Sequence, residues 1–299
     1  MNHQLIVIAG PTASGKTAAA IRLAQYFNTV ILSADSRQFY KEMSIGTAKP
    51  DAEELSAATH HFIDSHSIND LFSVGDFEKQ GLALLNELFK VHNVVILVGG
   101  SGLYIKALCE GFDDIPQSNE GVRELLNNEL AQNGIAPLQQ ELKSVDPDYY
   151  NEVDINNPQR IIRALEVYRS TGQPFSSYRK AAINKRPFRC VKIALDLPRD
   201  VLYGRINNRV DIMVEQGLIN EVQSLLPYRL LNALNTVGYS ELFDYFDGKT
   251  DIGKAIELIK QNTRRFAKRQ LTWFRKDKEI HWLKPEEVTG EKVAEMLKN

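Results

Sequence analysis

The sequence predicts an α/β protein, a parallel sheet flanked by helices and interrupted by an all-helical insertion. Three observations lead there: short β-rich runs alternate with helical stretches in the first third, the β-runs vanish across residues 121–180, and a strand followed by long helices returns afterwards. In order, the strand runs are 5–9 and 30–33, with a helix over about 16–27 between them, then a helix near 74–90 and a strand at 94–98. The insertion carries helical patterns at 122–131, 137–143 and 158–171. The last is the best marked: Asn157 is placed to cap it, Pro158 takes the first helical position, Ile161, Leu165 and Tyr168 line one face, and Gly172 follows its end. A strand at 189–195 re-enters the sheet, helices follow near 199–226 and 252–276, and a short strand is expected around 280–283. The predicted division is a core of residues 1–119 and 185–299 around an insertion of 120–184. No internal repeat or low-complexity linker separates them, so the insertion is expected to pack rather than hang from a tether.

Composition narrows the function. The 299 residues are 43% hydrophobic and 25% charged, enough for a sizeable core, and the formal net charge of −2 excludes a wholly basic nucleic-acid binder. A polyanion site must therefore be a local patch. Cys109 and Cys190 stand far apart without metal-ligand spacing, so neither a disulfide framework nor a zinc site is expected, and a reducing compartment fits. The chain passes from His3-Gln4 into its first apolar run with no basic leader, and no apolar run approaches the roughly 20 residues of a membrane span. A cytoplasmic, monomeric protein with no membrane partner is expected.

Gly10-Pro11-Thr12-Ala13-Ser14-Gly15-Lys16-Thr17 matches GxxxxGK[ST] directly between a strand and a helix, the context that motif requires, so the fold is P-loop NTPase-like. Glycines let successive N–H groups point at phosphate oxygens, Lys16 adds a point charge, and the Thr17 hydroxyl is placed to hold Mg²⁺. A di- or triphosphate ligand follows, with ATP left open. The strand at 94–98, however, ends in Gly99-Gly100-Ser101-Gly102 rather than the metal-binding acid of a motor ATPase. Those glycines are expected to let backbone approach a ligand closely.

Asp35 follows the second strand and should lie beside the phosphate loop. There a carboxylate either ligates Mg²⁺ through water or takes a proton from a nucleophile, the plainer alternative being a turn or cap residue. Arg209 is a candidate for the phosphate oxyanion; the competing reading pairs it on a helix surface with Asp211 or Glu215. His60, His61 and His66 with Asp64 suggest a metal cluster at first sight, but packing and local hydrogen bonds are preferred. Gln159, Arg160 and Arg163 share one helical face. Lys260, Arg264, Arg265, Lys268, Arg269, Arg275 and Lys276 crowd another helix, a density that favours a polyanion partner, while Phe266 and Phe274 there are expected in the core.

Together the phosphate loop, Asp35-Ser36-Arg37-Gln38, Ile45-Gly46-Thr47-Ala48-Lys49-Pro50, Val98-Gly99-Gly100-Ser101-Gly102-Leu103-Tyr104 and the helix from Pro158 through Glu166 resemble bacterial tRNA dimethylallyltransferases, as do Arg209-Val210-Asp211-Ile212-Met213, Asn235-Thr236-Val237-Gly238-Tyr239 and residues 264–275. The resemblance runs through nearly the whole chain. It implies transfer of a dimethylallyl group from dimethylallyl diphosphate to N6 of the adenosine immediately 3′ of the anticodon, with Mg²⁺ as cofactor and the tRNA anticodon stem-loop as partner. The phosphate loop would then hold the prenyl diphosphate. Asp35 would be the general base, with Lys16, Thr17 and Ser101 beside it in catalysis. Asp35, Ser36, Arg37, Gln38 and Ser101 would meet the target nucleotide region, and Arg123, Gln159, Arg160, Ile161, Ile162 and Arg163 would grip tRNA. Ser101 stands where the family often has Thr, which keeps the hydroxyl. Two other enzymes remain as alternatives, prenyl transfer to free AMP, ADP or ATP and a small-molecule kinase; a third alternative is a nucleotide-regulated RNA-binding protein.

Overall fold

The computed structural model describes residues 3–111, 113, 115–116, 118–179 and 185–298. The chain forms two compact units, Met1–Glu110 with Lys185–Asn299, and Gly111–Asn184. Residues 180–184, the last part of the predicted insertion, lie outside the described residues.

In the first unit, β1 (Gln4–Ala9) leads through the phosphate loop to α1 (Lys16–Phe27), then β2 (Ile31–Ser33), α2 (Ala52–Ala57), β3 (His60–His61), α3 (Val74–Leu88), β4 (Val94–Gly99) and α4 (Gly102–Glu110). The second unit holds α5 (Val122–Asn133), α6 (Ala136–Val145), α7 (Pro147–Glu152), α8 (Pro158–Thr171) and α9 (Phe175–Tyr178). The chain then returns to the first unit with β5 (Arg189–Leu195), α10 (Arg199–Glu215), α11 (Leu218–Ser224), α12 (Ser240–Phe246), α13 (Ile252–Phe274), β6 (His281–Leu283) and α14 (Gly290–Lys298).

The six strands pair parallel in the order β3-β2-β4-β1-β5-β6. β1 is apolar at every position after Gln4 because both of its faces are covered. Leu5 and Val7 pack with Leu97, with Phe77 and Leu85 of α3 and with Leu108 of α4. Ile6 and Ile8, pointing the other way, pack with Ile96 and Ile193 against Ala20 and Leu23 of α1 and Val293 of α14. All-parallel pairing brings the carboxyl ends of β1, β2 and β4 to one edge, where the phosphate loop, Asp35 and Ser101 begin. A third cluster joins Tyr40 and Met43 to Leu218, Tyr239, Leu242 and Ile259, so α10–α13 pack beside the loop after β2.

The expected helix over 199–226 is broken. Gly217 takes the left-handed conformation at φ 102° and restarts the chain as α11, a reversal that a continuous periodic reading cannot show. At the glycines of the β4–α4 junction, protein lies where a side chain would be. A Cβ on Gly99 would lie 2.5 Å from the Ala34 carbonyl oxygen, one on Gly100 2.2 Å from Gln270 Nε2, and one on Gly102 2.2 Å from Trp273. They leave room for the backbone after β2 and for α13. Gly99→Ala, opposed by backbone, should lower the urea-unfolding free energy by about 2–3 kcal/mol; an unchanged midpoint and slope would contradict that packing.

In the second unit α8 is the central helix. Asn157 caps it by accepting from Arg160 N–H, Gly172 ends it at φ 72°, and Ile161, Ile162, Leu165 and Val167 pack on Leu126, Leu138, Leu142 and Phe175. Arg169 ties it to α5 and α6 through Glu129 (2.7 Å) and Glu141 (2.9 Å).

Candidate active site

The phosphate loop curls through positive φ at Gly10 (141°), Ala13 (63°) and Gly15 (93°). The Pro11 carbonyl accepts from Lys16 Nζ at 2.7 Å and from Ser14 N–H at 3.3 Å. Ser14 Oγ is fully buried and, among the described residues, has no hydrogen-bond partner. An orphaned hydroxyl inside such a loop fits a phosphate oxygen, which would satisfy it. Thr12, Lys16 and Thr17 open onto a cavity of about 490 Å³ that also receives Asp35, Ser101 and Arg209.

Asp35 is set by the end of β2: its N–H donates to Ser33 Oγ (3.3 Å) and its Oδ1 accepts from Arg37 N–H (3.2 Å). Burial raises its carboxyl above the ordinary carboxylate range, against the pull of the Arg37 N–H, Lys16, Arg37 and Arg209. Burial likewise lowers Lys16 to about 8, with Asp35 opposing that shift and Arg209 adding to it. Arg209 comes from α10, and among the described residues it has no hydrogen bond or ion pair; Asp211 instead pairs with Lys260 at 2.8 Å. The helix-surface reading of Arg209 therefore fails. The helix turns it into the cavity, where burial lowers its guanidinium and Glu54 and Asp35 counteract.

Ser101 Oγ accepts from Ser36 N–H (3.1 Å) and donates to Ser36 Oγ (3.2 Å), joining the loops after β2 and β4. Arg37 donates to the carbonyls of Asn232 and Asn235, and Gln38 to those of Thr47 and Ala48, so these two side chains fasten neighbouring loops while lining the cavity. The loop after β2 is further held by Glu221, which accepts from Ser44 (3.0 Å), Ile45 (2.8 Å) and Gly46 (3.0 Å) N–H and from the buried Tyr239 hydroxyl (2.6 Å). The buried Glu241 does the same for the turn at Gly238 and is itself held by Asn262.

α13 contributes more than basic charge. Its buried line runs through Ala255, Ile259, Ala267, Gln270 and Phe274. Phe266 lies off that line, 39% exposed and on the cavity wall, so its expected core role is corrected; Phe274 is in the core. Of the predicted basic crowd, Lys260 and Arg264 turn to Asp211 and Asn207 of α10, and Arg275 lies over the Trp282 ring. Arg265, Lys268, Arg269, Trp273 and Lys276 line an open groove.

The histidines have structural employment. His60 and His61 form β3, with His60 Nδ1 2.8 Å from the Ala58 carbonyl, His66 stacks on Phe72 at 3.8 Å, and Asp64 pairs with Lys49.

The second unit gathers its own patch. Glu166, only 5% exposed, accepts from Arg123 (3.1 Å) and Arg163 (3.0 Å), Arg123 also donates to Gln159 (3.2 Å), and Arg160 is exposed nearby on α8. Ile161 and Ile162 were expected at this surface, but both are completely buried in the unit's core, so their side chains cannot touch RNA.

A phosphate-loop motif between a strand and a helix, a half-buried carboxylate at the next strand end, and Lys16 and Arg209 on the same cavity define a P-loop-like α/β protein. Residues 38–277 match the model of the IPP transferase family, and the chain belongs to that family. It is 56% identical over 287 residues to the tRNA dimethylallyltransferase of Christiangramia forsetii, covering 96% of this chain and 95% of that protein. It is 52% identical over 289 residues to that of Cytophaga hutchinsonii, covering 97% and 95%. Among solved structures, the full-length tRNA isopentenylpyrophosphate transferase of Bacillus halodurans superposes with a TM-score of 0.72 at 37% identity, over 99% of this chain and 96% of that one. A eukaryotic dimethylallyltransferase described as acting on tRNA gives 0.78 at 26% identity, over 95% and 74%. Among the described residues no helix is long and apolar enough to cross a membrane.

Proposed function

We propose that this chain is a cytoplasmic tRNA dimethylallyltransferase, moving the dimethylallyl group of dimethylallyl diphosphate to N6 of the adenosine immediately 3′ of the anticodon and releasing diphosphate. The observation that carries the mechanism is Asp35, a half-buried carboxylate of raised proton affinity in the same cavity as Lys16, Arg209 and the phosphate loop. An exocyclic adenine amine is a weak nucleophile, so it needs a proton acceptor and an electrophile whose leaving group is stabilised. As N6 bonds to C1 of the allyl group, the C1–O bond breaks, its electron pair leaves with the diphosphate, and the proton of N6 passes to Asp35. The loop N–H groups, Lys16 and Arg209 stand where the leaving charge develops. Val210, Met213 and Val237 supply apolar wall for the prenyl carbons. Thr17 lines the cavity and its hydroxyl would be the oxygen ligand this chain offers Mg²⁺, which when bound would further neutralise the diphosphate.

The adenine must leave its stack to enter the cavity, which costs less in a single-stranded loop than in a duplex. Arg123, Gln159, Arg160 and Arg163 of the second unit and the exposed cations of α13 are the proposed RNA contacts, acting on phosphates and on splayed bases. The test is release of pyrophosphate from dimethylallyl diphosphate with Mg²⁺. Release should depend on an unmodified anticodon stem-loop; release driven equally by AMP would move the function to free nucleotides, and phosphate release from ATP alone would indicate a kinase or ATPase.

The charge states set a pH profile. kcat/KM for the donor reports the free enzyme, so it should rise as Asp35 loses its proton, with a midpoint above the usual carboxylate range, and fall again as Lys16 loses its own near about 8. In Lys16→Arg the alkaline limb should disappear, because a guanidinium stays charged. A limb unmoved by that substitution would show that Lys16 is not its source.

A further inference from the structure

Gln270 lies on the buried line of α13, is only 7% exposed, and is remote in sequence from both of its side-chain hydrogen-bond partners. Its Oε1 accepts from Thr12 N–H at 2.9 Å and its Nε2 donates to the Gly100 carbonyl at 2.9 Å. The amide is thus held at both ends, between the phosphate loop and the loop after β4. The Thr12 N–H and the Pro11 C=O belong to one planar trans peptide unit and point in opposite directions. Gln270 grips the N–H side of that plane, while the C=O side takes Lys16 Nζ at 2.7 Å. Rotating the plane about its ends would release both contacts together.

We propose that Gln270 is a positioning residue for Lys16: by fixing the Pro11–Thr12 peptide plane, it sets where the Lys16 ammonium stands against the diphosphate. This rests on the reading of the phosphate loop as the diphosphate site. Gln270 also lines the cavity, but in this role it acts through the peptide plane and not on the ligand. Its whole effect passes through Lys16, which separates it from a residue that merely supports the fold.

The test is a double-mutant cycle on binding of inorganic pyrophosphate, measured by calorimetry on the full chain. Gln270→Met keeps the length of the side chain and removes both hydrogen bonds. It should weaken pyrophosphate by about tenfold when Lys16 is present and by less than about twofold in a Lys16→Met background, which retains the loop N–H groups, because coupled residues are non-additive. Gly100→Ala gives an independent arm should Gln270→Met fail to fold, since its Cβ would lie 2.2 Å from Gln270 Nε2 and displace the amide without altering it. It should show the same non-additivity. An equal loss in both backgrounds, or no loss in either, would overturn the proposal while leaving the diphosphate site standing. Failure of the unsubstituted protein to bind pyrophosphate would overturn the site reading and this inference with it.

Discussion

Asp35→Asn should lower turnover by about 10²- to 10⁴-fold, the usual worth of a general base, while binding of the anticodon stem-loop stays within about twofold. The substitution is close to isosteric, and an Asn Oδ1 still accepts from Arg37 N–H, so the loop after β2 has no reason to move. What it cannot do is take the proton of N6. Affinity for dimethylallyl diphosphate should hold or improve, because a negative charge is removed from a cavity that must bind an anion beside Lys16 and Arg209. Turnover that survives within tenfold would remove Asp35 as the base.

Glu221→Leu is expected to have the largest effect on stability. One carboxylate receives three consecutive backbone N–H groups and the hydroxyl of Tyr239, whose burial and proximity to Glu221 hold that hydroxyl protonated. Leaving donors unpaired costs about 1–3 kcal/mol each when buried, and these are partly screened by solvent, so a loss of about 3–4 kcal/mol in urea unfolding is expected. Turnover should fall as well, because the loop that Glu221 holds also supplies Thr47 and Ala48 to Gln38 at the cavity wall. Tyr239→Phe removes one of the four donations and should cost about 1 kcal/mol. A Glu221→Leu protein as stable as the parent would show that the loop holds itself.

Much of this architecture is readable from local pattern. The phosphate loop carries its own strand and helix context, β1 is apolar at successive positions because both faces are covered, and α8 has its cap, first-turn proline and terminal glycine within one short segment. Asp35 is also legible, by its place at a strand end, whereas for Arg209 the sequence leaves a phosphate partner and a surface ion pair both open. The polar residues that organise the site are not legible. Gln270 meets Thr12 across 258 positions and Gly100 across 170, Glu221 meets Gly46 across 175, and neither pairing leaves a spacing in the sequence. Glu166 was nearer to view, three positions after Arg163, but its second partner Arg123 comes from another helix. The misplaced residues have two causes. Ile161 and Ile162 come with the whole stretch that resembles the family, although a helix presents different faces one residue apart, and Phe266 is put in the core by helical spacing, which cannot decide which face packing covers. The glycines after β4 show the same limit, since small size reveals a close approach without naming what approaches.

The central claim is prenyl transfer to RNA at the phosphate-loop cavity. It is tested most directly by incubating the protein with dimethylallyl diphosphate, Mg²⁺ and an unmodified anticodon stem-loop, then digesting the RNA to nucleosides for mass spectrometry. The account predicts a five-carbon addition on the adenosine immediately 3′ of the anticodon, with none on other nucleosides and none in the Asp35→Asn reaction over the same interval. RNA recovered without any five-carbon addition, while a parallel reaction prenylates free AMP, would contradict it.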